Sequence, residues 1–211
     1  VGARLANFGS INPRSEEITT ILRKHLGVVA NEEQLVTELL NSFLRLPNEP
    51  VTKPIVDKVC LKDMISVSNI LLKADCDTAE EALQLSGDLL VKSDKVMQSY
   101  VDAVIRLQKS RPAYFVLAPG IALPHTSPEH GALKEAIAIM TLKNPICFGN
   151  SDNNPVKYIF FLSAMDNEKH IDAMGELLEL MNNPMFLSLL DQSNDREEFM
   201  HYLDNYLCSN K

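Results

Sequence analysis

The chain has 211 residues, of which 45% are hydrophobic and 23% are charged, and these proportions are typical of an ordinary globular protein. Its formal net charge of −8 argues against a broad nucleic-acid-binding surface, because neutralising phosphates requires clustered positive charge. No stretch approaches the roughly 18 uninterrupted apolar residues of a membrane-spanning helix, and no secretory signal is evident. We therefore expect a cytoplasmic protein without membrane insertion and without direct contact with nucleic acid.

The N-terminal part is predicted to be helical and separate from the rest of the chain. One short helix begins after Ser15, and a second helix with one apolar face begins after Asn31. Segment 47–54 contains three prolines, which favours a linker because proline cannot donate a backbone hydrogen bond. We assign residues 1–56 to a helical extension or the tail of an upstream module, and residues 57–211 to the main domain.

The first half of the main domain is predicted to contain a strand followed by two helices. A β-type run covers residues 65–72. The next helix is capped by Asp77 or Thr78, and the one after it is expected to begin with Ser93 as its cap. The apolar stripe of this second helix is formed by Val96, Tyr100, Val104 and Leu107.

Three apolar runs then predict the strands of a sheet: residues 114–118, 136–142 and 156–164. They are continuous rather than alternating, so both faces of the sheet should be covered. Three helical segments close the chain: one capped by Asp166 or Asn167, one with Pro184 in its first turn, and one from residue 194. Strands between helices predict an α/β or α+β domain in which a mixed central sheet is sandwiched by helices.

His125 is the histidine that the pattern singles out for chemistry. The chain reaches it directly from the predicted sheet, and Pro124 and Pro128 stiffen the segment on either side. A side chain on a stiff loop at the end of a strand is positioned yet accessible. From this segment alone, an ordinary loop histidine is an equally good interpretation.

His170 is expected to lie near His125. It follows the third strand run, in the first turns of a helix whose N-terminus offers free N–H groups that suit a phosphate. Two imidazoles at such a terminus indicate phosphate chemistry rather than a metal site, since no third ligand is evident and the cysteines lack zinc spacing. A triad with Ser127 and Asp166 is disfavoured because no nucleophile elbow is present. No metal or cofactor is expected.

The segment that runs from "APGIALPH" to "SAMDNEKH" closely resembles the IIA component of the bacterial phosphoenolpyruvate-dependent sugar phosphotransferase system. Within that system it resembles the mannitol/fructose superfamily, and specifically its ascorbate-type branch. The shared pattern is Gly-Ile-Ala-Leu-Pro-His, ending at His125, with a second histidine at His170. The resemblance covers about residues 60–208, and it implies a IIA mannitol/fructose-type fold.

The resemblance also implies residue roles and partners. His125 would accept a phosphoryl group from phosphohistidine on the carrier protein HPr and pass it to a cysteine of a IIB partner. His170 would hydrogen-bond the phosphoryl oxygens and help hold their charge. A histidine suits this task because its ordinary pKa near 6.5 leaves much of it neutral and nucleophilic at cytoplasmic pH.

The sequence departs from the family pattern where positive charge is expected beside the phosphate. Leu107 stands at the position where mannitol-type relatives carry an arginine, with Arg106 and Arg111 close by as candidate replacements. Ser127 stands where ascorbate-type relatives often carry arginine. Two further candidates for supporting the phosphoryl group are Pro124 and Thr126. His130 lies five residues past His125, and a direct role for it is less favoured than that of a solvated loop histidine.

Three functions stay open at this level. The chain is a transport component that relays phosphoryl groups, or the IIA-like domain of a transcriptional regulator or antiterminator, or a degenerate IIA fold that only binds partners. The regulatory alternative draws on the additional residues 1–56 and on the first residue being Val1, which together suggest a piece of a longer chain. The apolar stripe of helix 32–45 is a candidate interdomain or homodimer surface. The sugar is not specified, because IIA proteins of this type do not touch it.

Overall fold

The computed structural model describes residues 61–165 and 171–209 of the chain. The predicted N-terminal helices, the proline-rich linker and the boundary after residue 56 lie outside these described residues. So does segment 166–170, which contains His170 and the predicted caps Asp166 and Asn167.

The described residues form one five-stranded mixed sheet with the strand order β1-β4-β5-β3-β2. The strands are β1 (Ile70–Ala74), β2 (Val116–Ala118), β3 (Ile121–Ala122), β4 (Ala136–Ile146) and β5 (Val156–Ser163). The pairs β1–β4 and β3–β5 are parallel, whereas β4–β5 and β2–β3 are antiparallel. The long antiparallel pair β4–β5 is the centre of the sheet, and the shorter strands flank it.

Helices cover both faces of this sheet. They are α1 (Leu61–Met64), α2 (Ala79–Lys92), α3 (Gln98–Ser110), α4 (Ile171–Met181), α5 (Pro184–Gln192) and α6 (Arg196–Ser209), and two 3₁₀ turns are at Val67–Asn69 and Pro128–His130. Alternate residues of β4 point to opposite sides, so Ile137 and Ile139 pack with α1 and α4–α6, whereas Ala138 and Met140 pack with α2 and α3. The predicted sandwich of helices around a mixed sheet is therefore confirmed.

Helix α2 begins where the sequence predicts, and α3 does not. The Thr78 hydroxyl accepts a hydrogen bond from the Glu81 amide and caps α2. Ser93 does not start the next helix. It is the residue after α2, where its hydroxyl donates to the Leu89 carbonyl, and α3 begins only at Gln98.

The strand boundaries also differ from the sequence-based ones. The predicted strand at 65–72 is a 3₁₀ turn followed by β1, so the extended segment begins later and runs to Ala74. Strand β4 continues past the predicted turn at Asn144 to Ile146. The two-residue strand β3 was not predicted as a separate element, because a pair of residues carries no periodic signal.

Candidate functional site

The ends of β3 and β5 and the start of β4 meet at one end of the sheet and position His125. Strand β3 runs parallel to β5, so the two strands finish at the same end of the sheet. Strand β4 begins there because Ala136 pairs with Ser163. The Leu162 amide donates a 2.9 Å hydrogen bond to the Pro124 carbonyl, which fixes the segment after β3 beside the end of β5. His125 is therefore carried by a short segment anchored to the sheet on both sides, as the strand-end prediction required.

The imidazole of His125 is oriented by a hydrogen bond to the backbone. Its Nδ1 atom lies 2.8 Å from the carbonyl oxygen of Leu123. Because a carbonyl oxygen can only accept, Nδ1 carries the proton, and in the neutral ring Nε2 keeps a lone pair. The hydroxyl of Tyr114 lies 3.4 Å from Nε2. The ring is thus held in the tautomer in which Nε2 is the nucleophilic atom.

The expectation that His125 is accessible is wrong for this structure. Its relative exposure is 0%. Two aromatic rings pack against the imidazole, with the centroid of Tyr114 at 5.6 Å and that of Phe115 at 5.9 Å. These rings precede β2 in the sequence and reach His125 because the Phe115 carbonyl accepts a hydrogen bond from the Leu123 amide. Tyr114 itself is only partly buried.

The residue after His125 is tied to α3 and β5 through Tyr100. The Tyr100 hydroxyl accepts a 3.2 Å hydrogen bond from the Thr126 amide, and it lies 3.0 Å from the Thr126 carbonyl and 2.9 Å from the Leu162 carbonyl. Tyr100 is fully buried, and this burial raises its pKa far above the ordinary value, against a smaller opposing effect of the hydrogen bond with Thr126. The phenol stays protonated and links the three segments.

The far side of the loop is held by a second group of polar contacts. The Thr126 hydroxyl lies 3.0 Å from Nδ1 of His130, and the Ser99 hydroxyl donates to the His130 carbonyl at 2.6 Å. The turn ends at Gly131, whose φ of +119° lies in the region that favours glycine. His130 is exposed, and its ring contacts the Thr126 hydroxyl of the loop rather than the imidazole of His125.

The other predicted site residues fall into two groups. Pro124 and Thr126 are buried within the loop, next to His125. Arg106 is exposed on α3 and Arg111 is exposed just beyond its end. Among the described residues, no hydrogen bond or ion pair joins Arg106 to the His125 loop, and the neighbouring Leu107 packs into the core between the sheet and α2–α3.

Sequence reasoning missed the two tyrosines of this site. The sequence pattern places Tyr114 in a strand and Tyr100 in the apolar stripe of a helix, and neither position indicates a role for the hydroxyl. The signal that could have found them is the hydroxyl itself, because a buried phenolic O–H needs a hydrogen-bond partner. In the structure each hydroxyl reaches the His125 segment.

The described part of the chain contains neither a candidate metal site nor a membrane-spanning helix. No group of three or more His, Cys, Asp and Glu side chains is arranged to hold a metal ion there. Among the same residues, every helix is too short or too polar to cross a bilayer.

Comparison with known proteins identifies a family and relatives that cover about two thirds of this chain. The family model "Phosphoenolpyruvate-dependent sugar phosphotransferase system, EIIA 2" matches residues 63–206. The "Ascorbate-specific PTS system EIIA component" of Shigella boydii serotype 4 is 38% identical over 146 residues, which are 68% of this chain and 95% of that protein. The protein of the same name from Escherichia coli K12 is 37% identical over 146 residues, again 68% of this chain and 95% of that protein.

Solved structures agree with these sequence matches. The solution structure of the mannitol-specific cryptic phosphotransferase enzyme IIA CmtB from Escherichia coli superposes with a TM-score of 0.60 at 28% identity, covering 67% of this chain and 98% of that one. The IIA mannitol chain in a complex with phosphorylated enzyme IIB from Escherichia coli gives a TM-score of 0.55 at 25% identity, covering 65% and 96%. A family model matches this chain, the match covers nearly the full length of its relatives, and the fold is shared. This chain therefore belongs to the EIIA 2 family of the phosphoenolpyruvate-dependent sugar phosphotransferase system.

Proposed function

We propose that this chain is a phosphoryl carrier, in which His125 accepts a phosphoryl group from phospho-HPr and passes it to a cysteine of a IIB partner. The observation that carries the proposal is the 2.8 Å hydrogen bond between Nδ1 of His125 and the Leu123 carbonyl. It leaves Nε2 as the nucleophile in a chain of the EIIA 2 family. The solved complex of a related IIA chain with phosphorylated IIB supports the choice of acceptor.

The proposed transfer is balanced without moving a proton from His125. The Nε2 lone pair forms the new nitrogen–phosphorus bond while the phosphorus–nitrogen bond of the donor histidine breaks, and its electron pair returns to the donor ring. Nδ1 keeps its proton, and the Leu123 carbonyl stabilises the positive charge that the ring acquires. In the second transfer a IIB thiolate attacks phosphorus, and the electron pair returns to Nε2.

Further residues of the proposed site hold the loop and the phosphoryl group. Pro124 and Thr126 fix the backbone on either side of His125 through their contacts with Leu162 and Tyr100. His170, which lies outside the described residues, is proposed to hydrogen-bond the phosphoryl oxygens. Arg106 is not part of this proposal, because it is exposed on α3 without a contact to the loop.

The proposed context is ascorbate-type sugar uptake in the cytoplasm. It is supported by the curated relatives, whose name specifies ascorbate. Residues 57–211 form the proposed IIA domain, and residues 1–56 form the proposed extension. The family match begins at residue 63, so the chain carries an additional N-terminal segment. That segment supports a second candidate context, in which the same phosphorylation regulates transcription of a sugar operon.

Phosphorylation in a reconstituted system tests the proposal. The protein is incubated with phosphoenolpyruvate, enzyme I and HPr, and incorporation of acid-labile phosphate is measured by mass and by radiolabel. We expect one phosphate per chain in the wild type and none in His125→Ala, whereas His201→Ala, altered on the exposed face of α6, serves as the control and stays labelled. His170→Ala is expected to slow labelling without abolishing it. Absence of label in the wild type would instead favour the degenerate binding module.

A further inference from the structure

The Tyr114 hydroxyl is in contact with the atom that the proposed function makes reactive. It lies 3.4 Å from Nε2 of His125. Because the Nδ1 proton is directed at the Leu123 carbonyl, Nε2 can only accept, so the hydroxyl is the donor in this pair. The contact is long for a hydrogen bond, as catalytic contacts often are before a substrate is bound.

The position of the hydroxyl is fixed by packing. The ring of Tyr114 contacts Phe115 edge-on at a centroid distance of 5.0 Å, and both rings contact the imidazole of His125. The Tyr114 amide donates to the Arg111 carbonyl at 3.0 Å, which anchors the residue to the end of α3. The hydroxyl is thus already beside Nε2 before a phosphoryl group arrives, and it has only to change its acceptor as charge develops.

We propose, resting on the phosphoryl-carrier function above, that Tyr114 is a catalytic residue that serves as a neutral hydrogen-bond donor to both states of His125. Before transfer its hydroxyl donates to Nε2 and stabilises the neutral imidazole. As Nε2 attacks phosphorus, the hydroxyl releases the nitrogen and donates to a phosphoryl oxygen. The proton stays on Tyr114 throughout, so the step only exchanges one acceptor for another.

This role explains how a buried imidazole is reached. His125 has no exposed surface, whereas Tyr114 is partly exposed. A phosphoryl group that bonds to Nε2 must enter the space that the phenol occupies beside that atom. A small movement of Tyr114 therefore opens Nε2 and brings the hydroxyl onto the incoming oxygen atoms.

Tyr114→Phe tests the proposal, because it removes the hydroxyl and leaves both ring contacts in place. We expect the rate of phosphoryl transfer from phospho-HPr to fall by about tenfold or more, as when one donor to a developing charge is removed. We also expect the pKa of His125, followed by nuclear magnetic resonance of its ring nitrogens, to rise, because the neutral form loses a donor. Increased exposure of the imidazole would raise this pKa as well, so the same spectra must show that the substituted ring still contacts His125.

The control and the contrary outcomes separate this inference from the proposed function. Tyr202→Phe, which removes an exposed hydroxyl on α6, should leave both quantities unchanged. A transfer rate for Tyr114→Phe within about threefold of wild type, or an unchanged titration of His125, would overturn the role of Tyr114 alone. Label that persists in His125→Ala would overturn His125 as the acceptor, and absence of label in the wild type would overturn the carrier function itself.

Discussion

The phenol of Tyr100 and the backbone of Thr126 are hydrogen-bonded in both directions: the Thr126 amide donates to the hydroxyl at 3.2 Å, and the hydroxyl lies 3.0 Å from the Thr126 carbonyl. The same hydroxyl lies 2.9 Å from the Leu162 carbonyl. A phenol has one proton, so the two carbonyls share it. One buried side chain thereby holds the residue after His125 against the end of β5.

Tyr100→Phe should destabilise the protein by about 1–3 kcal/mol, because it leaves the buried Thr126 amide without its acceptor. The measurement is the free energy of unfolding in urea. Tyr202→Phe, which removes an exposed hydroxyl of the same kind, should change stability by less than about 0.5 kcal/mol. An equally small loss of unfolding free energy in Tyr100→Phe would show that the buried hydroxyl contributes nothing to stability.

Stability should fall at alkaline pH, in part through Tyr100. Its pKa is raised in the folded state by burial, whereas an unfolded tyrosine titrates near pH 10. A raised folded-state pKa gives stability that is complete below about pH 10 and is lost as the pH rises above it. Burial and Asp191 likewise raise the pKa of Tyr158 to about 12.

The alkaline effect is measured by urea unfolding at several pH values from 8 to about 11, a window set by the ordinary tyrosine pKa. Tyr100→Phe should lose less stability across this range than the wild type, because one of the groups that contribute to the alkaline loss no longer titrates. An identical pH dependence in both proteins would contradict the assignment.

Gly87→Ala should destabilise the contact between α2 and α3. A Cβ atom at this position would lie 2.7 Å from both methyl carbons of Val101, and such overpacking costs about 1–3 kcal/mol. Gly175→Ala in α4 is the matched control, because its Cβ would meet no atom of the described residues within 4 Å. That change should stabilise by about 0.5–1 kcal/mol through helix propensity.

Thermal or urea unfolding of both glycine variants checks this pair of predictions. Combining Gly87→Ala with Val101→Ala should cost less stability than the sum of the two single changes, because the second change removes the clashing methyl groups. Strict additivity in the double variant would refute the clash as the cause.

The phosphoryl group should be found on Nε2 of His125 and not on Nδ1. The reason is the Nδ1 proton, which the Leu123 carbonyl accepts at 2.8 Å. The measurement is nitrogen–phosphorus coupling in the phosphorylated protein labelled with ¹⁵N-histidine. A product phosphorylated on Nδ1 would mean that the imidazole ring rotates and breaks its hydrogen bond to Leu123 before it reacts.

His130→Ala should retain the ability to accept phosphate, because the described contacts of His130 are with the Thr126 hydroxyl and with Ser99 rather than with the reacting ring. A modest reduction in rate, about twofold to fivefold, is expected from the loosened loop. The measurement is the initial rate of labelling at saturating HPr. Complete loss of labelling would assign His130 a direct role.

The sheet could largely be predicted from the sequence, because β4 and β5 are long apolar runs that are covered on both faces. Strand β3 could not, since Ile121 and Ala122 form a strand only through pairing with β5. The prediction that Ser93 caps the start of α3 is wrong, again because tertiary contacts decide its place. A serine hydroxyl suits a helix start, but here Ser93 donates to carbonyls at the end of α2, and the chain then pairs Val96 with Ala132 before α3 begins.

The candidate site was predicted in its position but not in its surroundings. The run that ends at Pro124 places His125 at a strand end, which local patterning can show. Its burial and its contact with Tyr114 depend on residues that precede β2 and return to the imidazole only through tertiary packing. The roles of Tyr100 and Tyr114 depend on where a hydroxyl points, which periodicity does not encode.

The chain leaves the sheet at the end of β3 and returns to it at the start of β4, and both points lie at the same end of the sheet. A loop whose two ends are anchored at the same end of the sheet can be lengthened at its tip without moving those anchors. The entropic penalty of the extra residues grows only slowly with their number. Insertions between Pro128 and Gly131 would disturb the contacts of this turn with Thr126 and Ser99, whereas the hydrogen bonds at Leu123 and Pro124 that hold His125 lie outside the inserted stretch. The shape of the turn and the position of the imidazole are thus set by different contacts.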